Sequence, residues 1–169
     1  MSVEEHRKRG LEEAECLRCA VITVSDTRTL ETDESGAEIA EQLRGAGHQV
    51  VERTIVPDEP GRIALVLRHW LASEVDAVLL SGGTGVAARD GTVEVVRQFL
   101  DRELTGFGEI FRMLSYKQVG SAAMLSRAVG GIAKGKVVFA LPGSRRAVQL
   151  GMEKLIVPEI RHILYEVRK

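Results

Sequence analysis

The chain has 169 residues, a hydrophobic fraction of 44%, a charged fraction of 28% and a formal net charge of −1. That is enough for one domain with a substantial core, and the near-neutral balance excludes a polybasic binder of nucleic acid or membrane surfaces. No apolar run approaches the roughly 20 residues of a membrane span and the charged N-terminus lacks the apolar stretch of a secretory signal, so a cytoplasmic location is expected.

In chain order, residues 1–16 are Glu/Arg-rich and weakly apolar, and read as a frayed or helical N-terminal extension. Residues 17–169 read as a single domain. "CAVITV" (19–24) is a short β-branched run and predicts a buried strand. "SGAEIAEQLRGAG" (35–47) carries Ile39, Ala40 and Leu43 at helical spacing and ends in a glycine stop signal. "HQVVERTIV" (48–56) predicts a strand and "PDEP" (57–60) a turn. "GRIALVLRHWLAS" (61–73) sets Ile63, Val66, Leu67, Trp70 and Leu71 on one helical face. "VDAVLL" (75–80) is another buried strand. "TVEVVRQFL" (92–100) and "GEIFRMLSY" (108–116) read as helices, "KVVFAL" (136–141) as a strand. Residues 145–167 read as a long amphipathic helix, kinked or restarted at Pro158. Trp70 and Leu155, at helix-period positions, are expected in the core. Strands alternating with helices imply a three-layer α/β fold: a doubly wound, mostly parallel sheet with helices on both faces.

The chain contains no Asn, hence no N-glycosylation acceptor, and has 17 Arg against 6 Lys. A thermophilic origin and a GC-rich genome both fit that bias. Cys16 and Cys19 are spaced C-x-x-C, but they precede the first strand, where a redox motif would follow it. A structural zinc site needs about two further ligands, and the four scattered His offer none at paired spacing. Two ordinary thiols are expected.

The chemistry concentrates in "LLSGGTGVAARDGT" (79–92). In open α/β sheets ligands bind beyond the carboxyl ends of strands, and Ser81, Gly82, Gly83, Thr84 and Gly85 follow a strand directly. Glycines there let backbone N–H groups approach an anion, and a helix start near Thr92 adds positive dipole. The stretch reads as a cradle for phosphate, with a tight structural turn as the alternative. Arg89 suits bidentate phosphate contacts. Asp90 beside a phosphate implies an intervening cation such as Mg²⁺, or else a helix N-cap near Thr92.

Other polar residues fall at the same edge. Ser25 and Asp26 follow the first strand, Asp58 follows the second, and Pro142, Gly143 and Ser144 follow the last, with Arg145 and Arg146 opening the final helix. Each has a local alternative as a turn former or cap. Together, carboxylates from two strands and anion-binding loops suit metal-assisted phosphoryl or nucleotidyl transfer. Two nucleotide motifs are ruled out. No glycine follows the first strand, so the dinucleotide fingerprint is absent. "GGIAKGKV" (130–137) imitates a P-loop but lacks Ser/Thr after the lysine and runs into a strand, which leaves Lys134 and Lys136 as a turn and a strand start.

The stretches "SGGTGVAARDGTVE", "TGFGEIFRMLS", "LSRAVGG" and "ALPGS" resemble the molybdenum-cofactor biosynthesis family of MoaB and MogA proteins, to which the G domains of a plant protein and of gephyrin are also similar. The resemblance spans about residues 18–165, and the "FRMLS" and "PGS" endings are closer to the MoaB branch. It implies a molybdopterin-binding fold and Mg²⁺- and ATP-dependent adenylylation of molybdopterin. It also implies trimers or larger assemblies of them, and work alongside other proteins of that pathway. Matched position by position, Asp58 and Asp90 would be catalytic and hold Mg²⁺. Ser81, Gly82, Gly83, Thr84, Gly85, Arg89, Thr92, Ser126, Arg127, Pro142, Gly143 and Ser144 would bind molybdopterin. Ser25, Asp26, Asp33 and Gly36 would lie on the nucleotide side. Glu109 matches a family glutamate of unassigned role, with a buried structural partner as the alternative. Val93 stands where the family commonly has Pro, a convenience of the first helical turn. A non-catalytic molybdopterin carrier of the same family, or another Mg²⁺-dependent phosphotransferase on this architecture, are the competing readings.

Overall fold

The structure is a computed structural model that describes residues 2–5, 8 and 16–169; most of the expected N-terminal extension lies outside these. Six strands form one sheet: β1 (Arg18–Val24), β2 (Gln49–Val56), β3 (Ala77–Ser81), β4 (Arg102–Glu103), β5 (Val129–Ala133) and β6 (Lys136–Leu141). Their order is β2-β1-β3-β6-β5-β4. The first four are mutually parallel, and β5 and β4 add an antiparallel end. The helices are α1 (Glu34–Gly45), α2 (Pro60–Leu71), α3 (Thr92–Phe99), α4 (Thr105–Val119), α5 (Arg145–Gly151) and α6 (Val157–Arg168), with a 3₁₀ turn over Gly120–Leu125.

Side-chain alternation along the central strands builds two cores. Val21, Leu79, Phe139 and Leu141 point to one face, where α1 (Ile39, Leu43), α4 (Phe107, Phe111), α5 (Val148) and α6 (Ile160, Leu164) cover them. Ile22, Leu80, Val138 and Ala140 point to the other, under α2 (Ile63, Leu67, Trp70) and α3 (Val93, Val96). Each fully buried Leu or Ile contributes about 1.5–3 kcal/mol relative to exposure, so both faces are held by the hydrophobic effect. Trp70 is buried as expected.

One expectation needs correction and one is refined. Sequence periodicity missed β4 and β5, because "VGGIA" reads as a loop. Its glycines are there for space: a Cβ at Gly130 would lie 2.5 Å from the Phe139 ring, and one at Gly131 would lie 2.5 Å from the Arg102 carbonyl oxygen. Lys134 and Gly135, both at positive φ (49° and 74°), make the two-residue turn into β6. The last helix, read from sequence as kinked or restarted at Pro158, restarts one residue earlier, at Val157. The missing N–H is accommodated by one wide π turn over Met152–Ile156, after which Pro158 sits in the first turn of α6.

Chain order runs β1 out to β2, then back across to β3, so the winding direction changes between β1 and β3. That is where an α/β sheet leaves a crevice at its carboxyl edge. Among the described residues no helix is long and apolar enough to cross a membrane. Cys16 is exposed and Cys19 buried, both free. Burial pushes the Cys19 thiol up to about 12, which makes it inert.

Candidate functional site

Ser81 ends β3, and the next residues turn sharply back over β1. Gly82 and Gly83 take positive φ of 94° and 66°. At Gly82 a Cβ would lie 2.3 Å from the Val24 carbonyl oxygen, and at Gly83 one would lie 2.2 Å from Thr92 Oγ1. Only glycine satisfies both conformation and contact here. The turn is pinned by the Gly82 N–H on the Leu141 carbonyl (3.0 Å) and the Thr92 N–H on the Gly83 carbonyl (3.1 Å). Strands β3 and β6 and the start of α3 therefore converge on one loop.

Three buried polar atoms border this loop without a hydrogen-bond partner: Ser81 Oγ, Thr92 Oγ1 and Asp58 Oδ1. A buried, unpaired polar atom costs about 1–3 kcal/mol, and three at one turn are what a polar ligand would satisfy. Asp58 Oδ1 and Thr92 Oγ1 both flank Gly83.

The acidic residues expected at this edge meet there. The Asp58 N–H donates to Asp26 Oδ1 at 3.1 Å, and Asp26 Oδ2 pairs with Arg89 at 2.8 Å. Arg89 also donates to the Asp58 carbonyl at 3.4 Å. Burial raises the Asp58 carboxyl above its ordinary value, and the charges of Asp90 and Asp26 raise it further, while the Gly91 amide and Arg89 pull it down. Asp90 is not a helix cap: α3 is capped by Gly91, and Asp90 Oδ2 accepts from the Ala87 N–H within its own loop at 2.8 Å. Among the described residues no group of three or more His, Cys, Asp or Glu is arranged to hold a metal ion. Two neighbouring carboxylates with an unpaired oxygen nevertheless fit Mg²⁺, which commonly takes one or two protein carboxylates and completes its shell with substrate phosphates and water.

Arg127 lies across the glycine loop. Its Nε donates to the Gly85 carbonyl at 2.8 Å, its Nη2 to the Asp90 carbonyl at 2.9 Å, and it pairs with both Glu94 oxygens. The Arg127 N–H also bonds the Thr84 carbonyl at 3.0 Å. Expected as a molybdopterin ligand, its guanidinium is engaged in holding the loop. The Arg127 hydrogen bond draws Glu94 below its usual value. Ser126 Oγ accepts from the Ala128 N–H at 3.4 Å. Asp90, Glu94 and Arg127 line an open pocket of about 570 Å³ with Val86, Val95 and Pro60.

On the other side of the loop is a smaller polar pocket of about 240 Å³, bordered by Ser25, Arg28, Asp33, Ser81, Gly143 and Arg145. Residues expected on the nucleotide side and on the molybdopterin side thus share one cavity. Asp33 supports its wall. It caps α1 by accepting the Gly36 N–H (2.9 Å), accepts from Thr23 Oγ1 (2.8 Å) and pairs with Arg53 (3.0 Å). Gly36 is required because a Cβ there would lie 2.1 Å from Asp33 Oδ2. Ser25 Oγ folds its own turn, accepting from the Thr27 and Arg28 N–H groups. Ser144 caps α5 through the Ala147 N–H, and Ser35 Oγ donates to the Gly143 carbonyl at 2.6 Å. Pro142 precedes this turn, half-buried. Glu109 is exposed, which overturns its alternative as a buried partner. Sequence reading missed Glu94 and Arg53, whose partners lie 33 and 20 residues away, beyond any local pattern.

Comparison with known proteins shows which family the chain resembles. Residues 20–162 match the family model described as a probable molybdopterin binding domain. The molybdenum cofactor biosynthesis protein B of Halalkalibacterium halodurans is 50% identical over 175 residues, covering 100% of this chain and 99% of that one. A crystal structure of a molybdenum cofactor biosynthesis protein B superposes with TM-score 0.88 at 50% identity, covering 91% of this chain and 97% of that one. The crystal structure of the tungsten cofactor synthesizing protein MoaB from Pyrococcus furiosus does so with TM-score 0.84 at 40% identity, covering 92% and 99%. The chain belongs to the molybdopterin-binding domain family of molybdenum cofactor biosynthesis proteins.

Proposed function

We propose that the protein adenylylates molybdopterin at the expense of ATP. The terminal phosphate oxygen of molybdopterin attacks the α-phosphorus of ATP, the bond to the bridging oxygen of the β-phosphate breaks, and pyrophosphate leaves. The observation that supports this most directly is that Asp58 Oδ1 lies against Gly83 and Asp90 Oδ2 against Gly85, on one glycine turn bordered by three unpartnered buried polar atoms. In this reading the loop amides, with Ser81 and Thr92 Oγ, hold the phosphate end of the pterin. Asp58 and Asp90 hold Mg²⁺, which when bound neutralises phosphate and pyrophosphate oxygens. Catalysis then rests on positioning and preorganised charge, as phosphoryl chemistry asks little else of a protein. Arg127 and Glu94 keep the loop in place, and Asp26 fixes the backbone at Asp58.

Mixing the protein with molybdopterin and Mg²⁺-ATP, and measuring pyrophosphate and adenylylated pterin, tests this. Product in excess of protein is expected, with Asp90→Ala losing turnover while still binding pterin. An Asp90→Ala enzyme as fast as the parent would refute the assignment, and tight pterin binding without product would make the protein a carrier.

The same reading has the chain work as a trimer or hexamer of itself. Supporting this, α4 and the following turn expose Ile110, Met113, Tyr116, Val119 and Met124, an apolar face suited to burial against another copy. Sedimentation equilibrium of the parent and of Met113→Asp is expected to give an oligomer and a smaller species, respectively.

A further inference from the structure

The substrates of the proposed reaction carry several phosphates, yet the glycine-loop edge presents mostly carboxylates: Asp26, Asp58 and Asp90. A phosphate there needs cations, and most arginines nearby are already engaged. Arg89 is paired with Asp26, Arg53 with Asp33, and Arg127 with Glu94 and two loop carbonyls. Two others border the 240 Å³ pocket. Arg28 donates from Nη1 to the Thr32 carbonyl at 3.1 Å, and among the described residues no carboxylate pairs with it. Arg145 meets Glu38 through Nε alone at 3.1 Å, leaving its two Nη groups.

A second feature of the pocket points to a ligand. Ser81 lines it with zero relative exposure, and its Oγ has no partner. Such a hydroxyl is costly to leave unpaired, and it can donate to a phosphate oxygen. Two guanidinium groups and a buried hydroxyl around a polar cavity make a set of donors that matches phosphate. Glu34 borders the same cavity on its exposed lip and opposes an anion.

We propose that Arg28 and Arg145 bind one phosphate group of the substrates in this pocket, with Ser81 Oγ beneath it. This deepens the adenylylation reading and rests on it for the substrates' identity. The chemistry is the same whether the phosphate belongs to the nucleotide or to the pterin.

Titration calorimetry with inorganic phosphate, AMP and molybdopterin tests it, with no turnover required. Arg28→Ala and Arg145→Ala are each expected to weaken inorganic phosphate about tenfold, as loss of one charge-assisted contact does. Glu34→Gln is expected to tighten it, an opposite sign that general damage to the fold would not give. Where inorganic phosphate is weakened, a parallel loss for AMP but not for molybdopterin assigns the pocket to the nucleotide phosphate, and a parallel loss for molybdopterin but not for AMP assigns it to the pterin phosphate; either supports the proposal. Unchanged phosphate affinity in both arginine variants would overturn it. Phosphate binding that depends on Arg28 and Arg145 in a protein that makes no adenylylated pterin would refute the catalytic reading and leave this one standing.

Discussion

Glu94 and Arg127 close an ion pair over the loop that carries Arg89 and Asp90, and Arg127 reaches from that pair to the carbonyls of Gly85 and Asp90. The pair is substantially exposed, with side-chain exposures of 54% and 30%. Exposed pairs contribute at most about 1 kcal/mol to stability. Its effect is therefore expected in positioning. Glu94→Ala should shift the melting temperature by no more than about 2–4 °C. It should lower kcat by roughly tenfold to a hundredfold, the scale on which a misplaced catalytic group acts, with KM little changed. Hydrogen exchange of the Gly85–Asp90 amides should quicken. A variant with slow exchange and full kcat would show that the loop holds itself.

Gly82→Ala should be severe, for two independent reasons. Its φ of 94° disfavours any side chain, and the new Cβ would press on the Val24 carbonyl at 2.3 Å. Strain of that kind costs about 1–3 kcal/mol before the contact is counted. Thermal melts should show clear destabilisation, and phosphate binding should be lost in whatever remains folded.

Asp58 shows a conflict between function and stability. Its burial and the neighbouring Asp90 charge raise its carboxyl above the ordinary value, so the folded state holds that proton more tightly than the unfolded chain does. The sign is the reverse of the usual acidic residue: at neutral pH its ionised form subtracts from stability. Asp58→Asn should therefore raise the melting temperature in metal-free buffer while abolishing adenylylation. A lower melting temperature would show that the carboxylate is structurally required.

His48 should make the fold sensitive to mild acid. The Leu17 N–H donates to its Nδ1 at 3.3 Å, and Nε2 is buried without a partner. Burial lowers its pKa below 6.5, and the Arg161 charge lowers it further, against a smaller opposing effect of Asp76. The unfolded imidazole takes up a proton as pH falls through 6.5 while the folded one resists. Stability thus falls on acidification, by at most about 1.4 kcal/mol per pH unit from this group. Urea unfolding at pH 7.5 and 5.5 should show a smaller acid loss in His48→Gln than in the parent; equal losses would assign the pH dependence elsewhere.

The parallel half of the sheet was legible because β1, β3 and β6 are nearly unbroken apolar runs, and β2, though interrupted by Glu52 and Arg53, is rich in β-branched residues; all alternate with amphipathic helices. The glycine turn was legible too, since Ser81–Gly85 follows such a run directly. The antiparallel end was not. Gly130 and Gly131 carry no hydrophobic signal, and their reason, the Phe139 ring and the Arg102 carbonyl, exists only after folding. The site divides in the same way. Asp26 and Asp58 stand just past strand ends, and Asp90 closes the glycine loop just before α3, so all three could be picked out. The guanidinium partners could not: a sequence shows that Arg127 is a cation, but not that its donors go to Gly85, Asp90 and Glu94. Asp33 shows the converse, a residue noted as a ligand whose two oxygens are taken up by a cap, a threonine and an arginine.

The tight turn at Lys134 and Gly135 lies at the opposite edge of the sheet from the glycine loop, yet it governs how far Arg127 can reach. Arg127 comes two residues before β5, so the pairing of β5 with β6 sets where it stands. If that pairing slipped by one residue, the strand would shift by about 3.3 Å, more than the 2.8 Å of the Arg127–Gly85 bond itself. Slippage is blocked by shape: a slip one way puts Val129 in Gly130's place, against the Phe139 ring, and a slip the other way puts Ile132 in Gly131's place, against the Arg102 carbonyl. Two residues without side chains thus act as the calibration of a distant arginine.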